Sequence, residues 1–284
     1  MNLVTAHDYA WIRTSPLFRH ALESGYTLTL IRGRSPHEVL RAMEAEPCGT
    51  GEGTEGLIEA DSDHRDEAGW DSWDESYVAG VFGTPGEGGD WTLVLGFDGG
   101  LGIGDAAVEE LSKGGRIVVH SSNGGKPIHL FHWFEDGALR TMFEAASARY
   151  GSTPDELVPL LRDVGFPLTP EGEHDESAPD VDGKAAVLAL TERLTGVRVT
   201  EPFLQDATYA LGIVPERPAE EWTGVIIDIT DAHGERFYRE WTYEEIAAAS
   251  DRARAEANAP VVIAYDAPQA TDRPQDGPGE VRKG

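Results

Sequence analysis

Cysteine and positive charge are both scarce in this chain of 284 residues, and each shortage excludes certain compartments or partners. Cys48 is the only cysteine, so no disulfide can form within the chain and nothing indicates an oxidising compartment. The 23 lysines and arginines stand against 51 acids, which gives a formal net charge of −28 at pH 7. Such a surface repels phosphate, so we expect neither nucleic acid nor an anionic membrane as a partner. A basic protein or a cation would be attracted instead.

Long apolar segments are also missing from the sequence. No apolar run approaches the length of a membrane span. The first residues, MNLVTAHDYAWIR, contain no basic stretch followed by an apolar one, which is the pattern of a signal peptide. We therefore expect a cytoplasmic protein.

Catalytic motifs are the third absence. The glycines at 100, 102 and 104 follow a predicted strand and precede a helix, but their spacing is not G-x-G-x-x-G. Asp105 also puts negative charge where a bound phosphate would lie, so we interpret the segment as a turn and expect no cofactor. The run His120-Ser121-Ser122 lacks the G-x-S-x-G pattern of a nucleophile elbow. No set of nucleophile, base and acid can be assigned from the sequence.

The clearest structural signal lies within 91–144. The dipeptides Asn123-Gly124 and Asp136-Gly137 separate apolar segments that alternate with polar residues, which is the pattern of two-residue β-hairpins. Hairpins join antiparallel strands directly, whereas parallel strands need helical crossovers. We therefore predict an α+β fold with a mostly antiparallel sheet, built on a meander over 91–144 and flanked by short helices.

Two-residue turns would also fix which residues share a face of the meander. In that register Val118 opposes His129, and His129 opposes Glu144 across the next hairpin. His120 lies diagonal to His129 on the same face, where Arg140 stacks on the ring of Trp133. The other face is the predicted core, formed by Ile117, Val119, Ile128, Leu130, Phe134, Leu139 and Phe143.

Two imidazoles and a carboxylate on one patch form a set of metal ligands. His120, His129 and Glu144 therefore define one hypothesis for the function, a metal-dependent enzyme with its site on the exposed sheet face. The structural alternative is a half-covered face whose histidines form local hydrogen bonds. A slip of one residue at either turn would separate the three side chains.

The rest of the chain divides by composition. Residues 1–168 are predicted to form the main domain, and 169–183, rich in proline, glycine and acid, a linker. Residues 184–265 are predicted to hold two helices, over 184–194 and roughly 200–211, and a small unit of β-hairpin, helix and strand. The tail at 266–284 is expected to be disordered.

Capping boxes mark three predicted helix starts, because a serine or threonine is followed three residues later by a glutamate. They are Ser35-Pro36-His37-Glu38, Thr153-Pro154-Asp155-Glu156 and Thr242-Tyr243-Glu244-Glu245.

Between residues 49 and 75 the composition changes to glycine and then to acid, so we predict a solvated loop inserted into the main domain. Its end contains Trp70, Asp71, Trp73 and Asp74, and tryptophans are uncommon in disordered loops. These four residues are the predicted binding site. The acids would steer a basic protein partner, and a tryptophan would fill a pocket on it.

Because no catalytic set is apparent, the leading hypothesis is a non-catalytic protein-binding or regulatory module, for which an immunity-like role would fit. The alternative account of the acidity is that charge keeps the protein soluble.

Several segments, in order, resemble a known family. The runs are AWIRTSPLF, YTLTLIRGRSPHEVLRAM, WTLVLGFDGGLG, GGRIVV and AVLALTERLTGVRVT. Over roughly residues 7–205 the chain resembles actinomycete proteins grouped as domain of unknown function (DUF) 6461. The resemblance implies an intracellular actinomycete protein, and it supplies no activity and no catalytic residues. The acidic insertion looks longer than is usual in the family, and the unit after Leu211 lies outside the resemblance.

Overall fold

Strand β1, Tyr26–Arg32, lies in the middle of a nine-stranded sheet and has a hydrogen-bonded neighbour on each side. The structure is a computed structural model, which describes residues 4–15, 25–68, 76–97, 105–122, 129–179, 181–215, 224–230, 236–242, 244–246, 248–249 and 252. It divides the chain into two units, Met1–Pro218 and Ala219–Gly284. The division therefore lies after the linker that the sequence predicted at 169–183.

The sheet of the first unit is antiparallel at every pairing, which confirms the α+β prediction. Its strand order is β2-β9-β3-β4-β1-β5-β6-β7-β8. Besides β1, the strands are β2 (Glu46–Glu52), β3 (Ser76–Gly86), β4 (Gly89–Phe97), β5 (Arg116–Ser122), β6 (His129–Glu135), β7 (Ala138–Phe143), β8 (Arg149–Tyr150) and β9 (Thr208–Pro215).

The predicted meander over 91–144 is interrupted by β1. Leu28 pairs with Leu95 of β4 on one side and with His120 of β5 on the other, so β4 and β5 are not neighbours. The β-branched and aromatic composition of β1 suits a strand that is buried on both faces. The two hairpin signals specify only the order of β5, β6 and β7. The centre of the sheet is formed by β1, which comes from an earlier part of the chain and lies between β4 and β5.

Helices cover both faces of this sheet. They are an N-terminal 3₁₀ helix (Ala6–Arg13), α1 (Pro36–Ala42), α2 (Gly53–Ala68), α3 (Asp105–Ser112), α4 (Val158–Val164), α5 (Gly183–Thr195) and α6 (Glu201–Gln205). On one face α1 and α3 pack on Ile31, Ile117 and Val119. On the other face the 3₁₀ helix, α2, α4 and α5 form a larger core around Leu28 and Leu30.

Helix α5, which the sequence predicted over 184–194, is buried all the way round. Every residue from Lys184 to Thr191 is buried, because the sheet, the 3₁₀ helix and α4 surround it. Local signals still set its ends. Asp182 accepts hydrogen bonds from the first backbone amides, and Gly196 ends the helix at a φ of 68°.

The prediction of a solvated acidic loop is wrong for residues 49–68. Residues 46–52 form strand β2, and Gly53–Ala68 form helix α2. Leu57 is fully buried, and the backbone of Gly51 lies so close to Gly56 that a Cβ there would be 3.0 Å from the Gly56 carbonyl carbon. Few apolar residues mark the inner side of α2, so the acidic composition concealed its helical pattern.

Two other helix predictions also need correction. Residues 201–205 are helical, but Thr208–Pro215 form β9, which fills the sheet between β2 and β3. Thr153 and Glu156 do not cap a helix, because both side chains bind Arg140, and α4 begins later, at Val158. The capping boxes that begin at Ser35 and Thr242 are confirmed.

The predicted register of the meander is wrong at the first turn. Val118 pairs with Trp133 rather than with His129, and His129 pairs with Ser122. The second turn is confirmed where Phe134 pairs with Leu139.

A β-bulge between Trp133 and Phe134 then changes the pairing, so that Phe131 rather than Leu130 faces Phe143. The bulge places Phe143 with Phe131 and Trp133 in the larger core, on the face that was predicted to be exposed. The predicted contact between Arg140 and Trp133 is nevertheless present, at 5.4 Å from the guanidinium carbon to the ring centre.

The second unit contains an antiparallel hairpin, as predicted, of β10 (Gly224–Thr230) and β11 (Arg236–Thr242). The guanidinium of Arg239 lies over the ring of Trp241, at 4.9 Å from its centre. The strand predicted to follow the helix of this unit and the tail at 266–284 lie outside the described residues.

Leu57→Ala tests whether α2 is packed on the sheet. Because Leu57 is fully buried, we expect the substitution to lower the free energy of unfolding by about 2–5 kcal/mol in chemical denaturation. Glu59→Ala, on the exposed side of the same helix, should change it by less than about 0.5 kcal/mol. Equal effects of the two substitutions would contradict the packing of α2.

Candidate functional site

Antiparallel pairing brings several strand ends together at one end of the sheet. Tyr26, at the start of β1, pairs with Phe97 at the end of β4 and with Ser122 at the end of β5. Ser122 in turn pairs with His129 at the start of β6. We call this row the Tyr26 end of the sheet. The predicted binding residues Trp70, Asp71, Trp73 and Asp74 lie outside the described residues, just before β3 begins at Ser76.

The predicted metal ligands are only partly brought together at the Tyr26 end. His120 pairs with Phe131 and His129 with Ser122, so the two histidines are diagonal to each other in the strand register. The predicted pairing of His129 with Glu144 does not form, because β7 ends at Phe143 and Glu144 follows it as an exposed residue. In the described part of the chain no three His, Cys, Asp or Glu residues are grouped to hold a metal. The hypothesis of a metal-dependent enzyme therefore remains a prediction, and the pairing of His129 with Glu144 on which it depended is not formed.

His120 is part of the core rather than of an exposed face. It is fully buried and lies edge-on to Tyr26, with ring centres 5.3 Å apart and an interplanar angle of 78°. The Tyr26 hydroxyl is 3.5 Å from Nδ1 of His120. Burial, and secondarily the nearby Asp182 carboxylate, raises the pKa of Tyr26 far above its usual value, so the phenol stays neutral.

Charged groups gather next to this pair, at the start of α5. Asp182 accepts hydrogen bonds from the backbone amides of Lys184 and Ala185, at 3.0 and 3.3 Å, and from the guanidinium of Arg13. Burial alone would raise the pKa of Asp182, but Arg13 and the amides outweigh it, so the pKa is lowered. Burial, together with the charge of Arg13, lowers the pKa of the Lys184 ammonium.

Helix α2 presents a row of acids to solvent. The exposed acids recur at spacings of about one turn, so they share one side of the helix, and they are Glu55, Glu59, Asp63, Asp66 and Glu67. Arg65 is the one basic side chain of the helix apart from His64, and it binds the buried Asp61 and the carbonyl of Phe97 instead. We call these five residues the acidic face of α2.

The inner side of α2 holds a pair of residues that sequence reasoning missed. Nε2 of His64 is 2.8 Å from Oγ of Ser76, the first residue of β3, and both residues are half-buried. The two are twelve residues apart and belong to no recognised motif. Only the packing of α2 against β3 brings them together.

Cys48 is exposed on the edge strand β2, at the point where the pairing with β9 shifts register. Partial burial raises the pKa of its thiol, which lowers the population of the reactive thiolate. The glycine-rich segment before Asp105 lies outside the described residues.

Comparison with known proteins gives a family and nothing more specific. The model of a family of unknown function (DUF6461) matches residues 2–219. No curated protein and no solved structure matches the chain. Among the described residues, no helix is long and apolar enough to cross a membrane.

Asp182→Ala tests the charged group at the start of α5. The substitution removes a helix cap, so we expect it to lower the free energy of unfolding by about 1 kcal/mol at pH 7. Because folding lowers the pKa of Asp182, its stabilisation is present above the ordinary value of 3.8 and is lost as pH falls below it. The difference between wild type and variant in urea denaturation should therefore shrink toward pH 3. A difference independent of pH, or one no larger than that of the exposed Glu171→Ala, would contradict this account.

Proposed function

Since the chain belongs to the family of unknown function DUF6461, we propose from its surface geometry that it is a protein-binding or regulatory module for a basic protein partner. The observation that carries this proposal is the acidic face of α2. The family resemblance and the absence of a described membrane-spanning helix suit an actinomycete protein that acts in the cytoplasm.

The charges of the acidic face reinforce one another. The row from Glu55 to Glu67 extends about 18 Å along the helix axis, at about 1.5 Å per residue. Along it Glu55, Glu59, Asp63 and Glu67 follow one another at intervals of four residues, so neighbouring acids are about one turn apart. That separation is shorter than the Debye length of about 8 Å at physiological salt, so their fields add. A basic surface would be steered toward this face, which raises the association rate and excludes acidic partners.

The acidic face is also held in place before any partner binds. Leu57 and Asp61 are buried on the inner side of α2, and Asp61 accepts a hydrogen bond from the backbone N–H of Val78 in β3 at 3.2 Å. A helix that is already ordered loses less conformational entropy on binding than a mobile loop would. This favours recognition by α2 over the solvated loop that the sequence predicted.

The binding energy needs an apolar anchor as well as charge. Trp70 and Trp73 follow α2 directly in the sequence, together with Asp71 and Asp74, and we propose that they supply this anchor. Tryptophans are frequent among the few residues that carry most of the energy of a protein interface. Such a combination of acidic steering and aromatic anchor would suit an inhibitor or an immunity-like protein.

A charge-reversal variant of the acidic face tests the proposal. Glu59, Asp63 and Asp66 are changed to lysine, and the control carries Glu171, Glu173 and Glu176 changed to lysine, which alters the net charge equally on other exposed acids. We expect a partner captured from the native host at low salt to bind the control variant and to be lost from the α2 variant. Trp73→Ala should also lose it, and capture should weaken steeply as salt rises.

Two results would contradict the proposal. Equal loss from both triple variants would mean that net charge, rather than the acidic face, holds the captured protein. Recovery of no partner at either low or physiological salt would remove the support for a binding module.

A further inference from the structure

The hydrogen bond between Ser76 and His64 has the geometry of a nucleophile and its base. With the imidazole proton on Nδ1, Nε2 accepts the hydroxyl proton of Ser76, and the 2.8 Å separation lies within the range required for proton transfer. Both residues are half-buried, so the hydroxyl is partly desolvated but not sealed from solvent.

This hydrogen bond is not the only contact that holds α2 on the sheet, because Asp61 ties the helix to β3 and Arg65 ties it to β4. Asp61, on the buried inner side of α2, accepts hydrogen bonds from the backbone N–H of Val78 at 3.2 Å and from Nε–H of Arg65 at 2.9 Å. Arg65 in turn donates to the carbonyl of Phe97 at 3.4 Å, which links α2 to β4. These contacts fix the helix against the start of β3, and they leave His64 and Ser76 facing each other on two ordered elements.

We infer that Ser76 and His64 form an acyl-transfer pair that acts on small esters. Oγ of Ser76 attacks the acyl carbon while His64 takes the hydroxyl proton, and the ester C–O bond breaks as that proton passes to the leaving alcohol. Water then attacks the acyl carbon, with His64 taking a proton from it, and the acid is released as the proton returns to Oγ. No oxidant, reductant or cofactor is required, and this activity is separate from the proposed protein binding.

Charge around the pair selects the class of ester. The exposed acids Asp63 and Glu67 lie next to His64 on α2, where Arg65 is paired with the buried Asp61, and the whole chain is strongly acidic. A negatively charged acyl group would be repelled from this site, so the substrates are neutral or cationic esters. Neutral p-nitrophenyl acetate is therefore the probe for turnover.

Labelling with a fluorophosphonate tests the nucleophile in the full-length chain. The reagent forms a bond between phosphorus and Oγ with loss of fluoride, and mass spectrometry locates the adduct. We expect the adduct on Ser76, its loss in Ser76→Ala, and unchanged labelling in Ser62→Ala, which alters an exposed serine of the same helix. Hydrolysis of p-nitrophenyl acetate should follow the same pattern.

His64→Gln separates catalysis from structure. Glutamine can still hydrogen-bond to Ser76 but cannot act as a base, so the rates of labelling and hydrolysis should fall by about 100-fold or more while the melting temperature is retained. Absence of an adduct on Ser76 in the wild-type chain would overturn the inference, as would labelling that His64→Gln leaves unchanged. The Ser76→Ala variant is also tested for capture of a protein partner. If it still captures one while labelling and hydrolysis are lost, the acyl-transfer activity and the proposed binding function are independent.

Discussion

Strand β1 is hydrogen-bonded along both edges and buried on both faces, and the first unit depends on that double constraint. It joins two groups of strands, because β4 and β5 have no pairing with each other and both pair with β1. Leu28, Leu30 and Ile31 are fully excluded from solvent, and burying such a side chain contributes about 1.5–3 kcal/mol. A central strand with this composition requires cover on both sides, which explains why helices pack on both faces of the sheet.

The same constraint decides what lies at the Tyr26 end. Residues Tyr26 and His120 are on the face covered by α5, so polar groups of the sheet meet the charged start of a buried helix. Their environment then sets their chemistry. Tyr26 stays neutral because it is buried, while Asp182 keeps its charge because Arg13 and the backbone amides of α5 bind it. An imidazole enclosed in this way is a poor candidate for an open metal site.

The two sides of helix α2 differ in their chemistry. Its outer side exposes acids that form no ion pair with another residue of the described part of the chain, which is the arrangement expected of a surface that attracts a basic protein. Its inner side buries Asp61 and sets His64 against Ser76. One packed helix therefore serves both proposals. Neither arrangement would exist if residues 53–68 were the mobile loop that their composition suggests.

Local chemistry in the sequence determined the antiparallel class of the fold, the capping box from Ser35 to Glu38, and the end of α5 at Gly196, because each depends on residues a few positions apart. It also placed His120 and His129 on one sheet face. The tertiary structure alone decided the insertion of β1 and the bulge between Trp133 and Phe134. The bulge shifted the pairing of β6 with β7 by one residue on the side away from the turn. Strand pairing has a period of two, so a shift of one residue exchanges the faces, and no local signal reports that shift. The contact between Ser76 and His64 was likewise decided by packing, because it depends on where a helix rests against a sheet.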